Sequence, residues 1–198
     1  MDANAWDERA SKMGTLYLTT TNLLSELLQD QFLGVWLTVP GFSAWTLPSL
    51  AVTNSVLGLP DGFQLTLGSS LQLGPLSGLL LGTNADLVCA GDLVQTAGQL
   101  FMETNANLAC GGSILCASDL VIRGDLRCGA DLVLTNGGRL HVFSGATNGL
   151  PVDYGARLAV TGDVRIASNA WIYPYADPRD GGALWLQMDN LVVAAGGG

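Results

Sequence analysis

Between Leu87 and Leu140 the hydrophobic positions return at nearly fixed intervals. Leu87, Leu93, Leu100, Leu108, Ile114, Leu120, Leu126, Leu132 and Leu140 are separated by 6, 7, 8, 6, 6, 6, 6 and 8 residues. The local unit is a small or turn-forming residue, then apolar, any residue, apolar; ADLVC, GDLVQ, SDLVI, GDLRC and ADLVL are its clearest copies. A two-residue alternation inside so short a repeat excludes a helix and fits strand, turn, strand. Sustained over nine units, it predicts the wall of a β-solenoid.

Grouping the units in threes sets a register. Leu65/Leu67, Leu71/Leu73 and Leu79/Leu81 begin it, and first members then fall at 87, 108 and 126, giving coils of 22, 21 and 18 residues. Three short strands per coil predict an all-β, right-handed parallel β-helix over residues 63–198, with corner insertions at 144–157 and 171–183. Residues 34–62 carry Pro40, Gly41, Pro48, Gly58 and Pro60 and predict a less regular approach. Residues 1–33 predict a lead-in strand (Thr15 to Thr19) and a short N-terminal helix over Asn22 to Phe32. In that helix Leu23, Leu24, Leu27 and Leu28 share one side, and Thr21 or Asn22 serves as N-cap.

The register places Cys89, Cys110 and Cys128 in one inward column of the first wall, about 4.8 Å apart. They read as small buried hydrophobes, and a stacked Cys89–Cys110 disulfide is compatible with that spacing. Without a Cys-x₂-Cys pair, and with His141 on another wall, no zinc site or other cofactor is expected. Outward residues on the first wall are Thr66, Val88, Ala109 and Arg127. On the second they are Gln72, Val94, Leu115 and Val133, and on the third Leu80, Phe101, Val121 and His141. Leu80, Val94, Phe101, Leu115, Val121 and Val133 thus form two apolar outer stripes, candidate assembly faces that either an insertion or another chain must cover.

Composition narrows the partners. The net charge is −9, with one lysine and seven arginines, so no basic stripe awaits nucleic acid. Charged residues are 13% and hydrophobic residues 48%, as in a packed domain, yet no apolar run is long enough for a transmembrane helix or a signal peptide. The strand-like Leu191-Val192-Val193-Ala194 runs into three glycines without a polar cap, which predicts a piece of a longer protein. Trp171, Tyr173, Tyr175, Asp177, Asp180 and Trp185 combine aromatic rings with carboxylates and form a candidate carbohydrate or partner loop. Asp86, Asp92, Asp119, Asp125, Asp131 and Asp163 stand at unit starts and suit corners. His141, Arg123, Arg127 and Asp125 are the side chains from which a lyase-like groove would be assembled.

The phrases LVLTNGGRLHVFSGATN, LAVTGDVRIASNAWIYP and NLVVAAGGG resemble the large repetitive β-helix proteins of bacterial cell surfaces, autotransporter-passenger-like in style. The segment LVIRGDLRCGADLVL also resembles bactofilins, cytoskeletal β-helices that polymerise end to end. No catalytic residue carries over from either. The expected function is therefore non-enzymatic: a structural, adhesive or filament-forming protein at the cell surface, self-associating through solenoid ends or outer walls. Two alternatives stand beside it, a carbohydrate-binding or carbohydrate-cleaving β-helix protein and a bactofilin-like filament in the cytoplasm.

Overall fold

A computed structural model describes residues 13–135, 137–145, 155–177 and 182–198. Within them the chain is a parallel β-solenoid of three sheets, with three strands per coil. The first wall stacks Ala44–Leu47, Gln64–Leu67, Asp86–Cys89, Asn107–Cys110, Leu126–Cys128, Ala156–Val160 and Leu184–Gln187. The second stacks Leu27–Gln29, Leu50–Thr53, Leu71–Leu73, Leu93–Gln95, Ile114–Cys116, Leu132–Leu134, Val164–Ile166 and Leu191–Val193. The third stacks Gly14–Tyr17, Leu33–Thr38, Val56–Leu59, Gly78–Leu81, Gln99–Met102, Asp119–Ile122, Arg139–Phe143 and Trp171–Tyr175.

Every neighbouring pair within the walls is parallel, and the register follows the leucine repeat. Leu65, Leu87, Leu108, Leu126 and Leu158 are successive Cα partners on the first wall. Leu71, Leu93, Ile114, Leu132 and Val164 do the same on the second. These rows are sealed from solvent and form one continuous core inside the solenoid. Each fully buried leucine or isoleucine contributes about 1.5–3 kcal/mol by the area it removes from water.

Three expectations are corrected. No helix spans Asn22 to Phe32. Leu27–Gln29 is instead a strand whose Leu28 pairs with Val52 and is fully buried. Cross-strand burial against Val52 overrides the helical spacing of the leucines. The segment 171–183 is not wholly an excursion either, since Trp171–Tyr175 is a third-wall strand paired with Arg139–Phe143. Its Pro174 shares parity with Ile172, whose N–H points away from Arg139–Phe143 to the Gly198 carbonyl. The missing donor of Pro174 therefore falls on the far side of the edge strand, where no ladder bond to its neighbour is lost. Strand Ala156–Val160 likewise begins inside the expected 144–157 insertion, of which residues 146–154 lie outside the described residues.

Corners are held by polar side chains that reach from coil to coil. Asp92 Oδ1 accepts from the Ser113 N–H at 2.7 Å, Asp125 Oδ1 from Arg157 N–H at 3.0 Å, and Asp131 Oδ1 from Asp163 N–H at 2.9 Å. The left-handed positions belong instead to Asn54, Asn84, Asn105 and Asn169, together with Asp30 and Leu76. The aspartates are thus structural, but as staples between coils rather than bonds within their own turns. Corner glycines allow the tight stacking: a Cβ on Gly111 would lie 2.5 Å from the Ala90 carbonyl oxygen.

Candidate functional site

The two ends of the solenoid differ. At the N-terminal end the inward residues Leu28, Phe32, Leu37 and Trp45 are buried. Phe42 packs edge-on against Phe63 at 5.2 Å and lies 6.1 Å from Trp45, while Leu16, Leu18, Leu24 and Val39 pack on the same core. At the C-terminal end the inward rows emerge into solvent. Leu158 is 0% exposed but its partner Leu186 is 43%; Val164 is 0% but Leu191 is 55%; Ile166 is 5% but Val193 is 45%. The edge strands Leu184–Gln187 and Leu191–Val193 have no strand on their outer side among the described residues. Exposed strand edges of this kind recruit further strands.

The outer stripes have different fates. Leu80, Phe101 and Val121 on the third wall are buried, in a cluster with Met13, Trp36, Val56 and Phe143. The ring of Trp36 lies on Gly58, where a Cβ would meet it at 2.5 Å. The Arg123 guanidinium sits 5.4 Å from the Phe101 ring and 5.0 Å from that of Phe143. This stripe is inside the chain's own packing. Val94, Leu115 and Val133 on the second wall remain half-buried.

The aromatic loop residues are divided between walls. Trp171, Tyr173 and Tyr175 project from the outer face of the third wall, with Tyr173 stacked on His141 at 4.8 Å and Tyr175 on Phe143 at 4.3 Å. The Tyr175 hydroxyl lies 3.1 Å from His141 Nδ1. Burial pushes the His141 imidazole below its ordinary pKa. Trp185 is on the first wall, under the Arg157 guanidinium at 4.8 Å. Asp177 donates its backbone N–H to the Gly182 carbonyl at the loop's base, and Asp180 lies outside the described residues.

The cysteines stack as their spacing predicts, Cys89 on Cys110 on Cys128, and all four cysteines are free thiols. Their sulfurs face corner carbonyls one coil back: Cys89 to Ser69 at 2.9 Å, Cys110 to Gly91 at 3.1 Å, Cys128 to Gly112 at 3.4 Å. The neighbouring Cys110 thiol lowers the Cys89 pKa against the opposing effect of burial. The same contact raises Cys110, and burial raises Cys128 and takes Cys116 to about 12. Among the described residues no group of three His, Cys, Asp or Glu side chains could hold a metal ion.

The first wall's outer face is the polar one, a face assigned no role from the sequence. Gln64, Asp86 and Asn107 are successive register partners, Arg157 and Trp185 are partners further on, and Asp125, just before its strand, bridges them by accepting from the Arg157 N–H. A hollow of about 430 Å³ lies over Gln64, Asp86, Asn107 and Asp125, with Val88 and Arg127 beside them. A second hollow of about 300 Å³ follows on the same wall over Arg157, Ala159 and Gln187. The signal was present in the alternation, since each of these residues occupies the polar slot of a strand. His141 and Arg123 are on the third wall, so they do not converge with Asp125 and Arg127.

No protein-family model, curated protein or solved structure matches this chain. No helix among the described residues is long and apolar enough to cross a membrane.

Proposed function

We propose that this protein is a structural β-solenoid, in the manner of a cell-surface scaffold, that associates with a second copy through its C-terminal end. The observation that carries this reading is the emergence of the inward rows at Leu186, Leu191 and Val193, while every preceding member of those rows is sealed. Covering three such side chains and pairing two open edge strands gains both apolar burial and backbone hydrogen bonds. At the opposite end Phe42 and its neighbours pack over the inward rows. A contact between two such C-terminal ends is two-fold and closes on itself as a dimer.

Size-exclusion chromatography with multi-angle light scattering tests the reading. A dimer at micromolar concentration that becomes a monomer in the Leu186→Lys/Leu191→Lys variant is the expected result. A wild-type monomer at every concentration, or a ladder of larger species, overturns it.

A further inference from the structure

We propose that the outer face of the first wall is a binding groove for an extended, uncharged glycan. Two hollows lie on this wall and follow one another along the solenoid axis. Six strands from Gln64–Leu67 to Leu184–Gln187 floor the groove, a run of about 24 Å at the usual strand spacing. A hydrogen-bonding side chain recurs on every coil of that run, so the groove is periodic in its chemistry. The fitting ligand is itself a chain of repeating polar units.

Charge selects among such chains. Asp86 and Asp125 oppose anionic polymers, including nucleic acid and polyuronates, and Arg127 offsets one of them. The carboxylates accept from sugar hydroxyls, while the Gln64 amide and Arg127 guanidinium donate. Gln64 and Arg127 are exposed and have no side-chain partner among the described residues, so both are free to do so. Val88 is 43% exposed between them and offers an apolar contact for the C–H face of a sugar ring. At the C-terminal end of the same column the Trp185 ring supplies an aromatic surface, set in place by Arg157. Asp86 accepts from Asn107 Nδ2 at 2.8 Å and Asp125 from the Arg157 N–H, so both carboxylates are held in place as acceptors.

The central contacts are separate from end association, because Gln64, Asp86, Val88 and Arg127 lie on inner coils, and only Trp185 shares the terminal strand with the proposed interface. Isothermal titration calorimetry of the whole protein with cellohexaose, maltohexaose and glucose tests it. At least one hexasaccharide should bind, and glucose should bind far more weakly. Val88→Trp, which fills the groove, and Arg127→Ala, which removes the donor without touching the core, should each weaken binding about tenfold. Trp171→Ala, on another wall, should leave it unchanged. Failure of both hexasaccharides at millimolar concentration overturns the proposal. So does equal affinity for glucose, or binding that survives both groove variants or is lost with Trp171→Ala.

Discussion

Leu158 and Leu186 are register partners on adjacent coils of one wall, the first fully enclosed and the second 43% exposed. The same side chain in the same row thus has opposite energetic weight one coil apart. Leu158→Ala leaves a cavity in a packed interior and should cost about 2–5 kcal/mol in urea unfolding. Leu186→Lys should change the stability of the isolated chain by less than about 0.5 kcal/mol. Its effect belongs to association, where it places a charge at the centre of the proposed interface.

The aspartate staples predict a second pattern. Asp92→Ala removes the acceptor for the Ser113 N–H at a solvent-facing corner, at a cost of about 0.5–1.5 kcal/mol. Asp92→Asn keeps an oxygen in place and should recover most of the loss. Chemical-denaturation midpoints of the two variants distinguish a hydrogen-bonding role from one of charge.

How much of this was legible in the sequence depends on which force set each element. The rows from Leu65 to Val164 were readable because inward leucines repeat with the coil and nothing competes with that pattern. Leu27–Gln29 was not, because its leucines also satisfy a helical spacing. Only the partner strand at Leu50–Thr53 decides between them. Trp171–Tyr175 was obscured by Pro174, a residue tolerated there because the strand is at a sheet edge, which is a fact of topology. The aromatic cluster looked single in sequence, but a corner separates Tyr175 from Trp185 and sends them to different walls. The apolar third-wall stripe was read correctly from alternation, while its burial under Met13 and Trp36 rests on contacts between distant residues.

His141 makes stability depend on pH. Burial lowers its pKa below the ordinary value of 6.5, so the folded state holds the neutral imidazole and the unfolded chain takes up the proton first as pH falls. Its effect on stability is therefore most favourable above 6.5 and declines as pH drops through the window down to the lower folded value. His141→Phe retains a ring to stack on Tyr173 and should flatten the dependence of the urea midpoint between about pH 7 and 5.

The cysteine column predicts ordered thiol chemistry. All four thiols should resist a disulfide reagent in the native protein and react completely in denaturant, since all are buried. Cys89 should be the first to react as local opening increases, because the neighbouring Cys110 thiol holds its pKa below the ordinary value. Cys110→Ala should raise the Cys89 pKa and slow that first phase at neutral pH, measured by the pH dependence of the labelling rate.

The most direct measurement of the central claim is amide hydrogen exchange at two or more protein concentrations. Protection at Leu184–Gln187 and Leu191–Val193 should rise with concentration, while Leu27–Gln29 and Ala44–Leu47 at the closed end stay constant. Exchange at the C-terminal strands that is fast and indifferent to concentration would contradict the account.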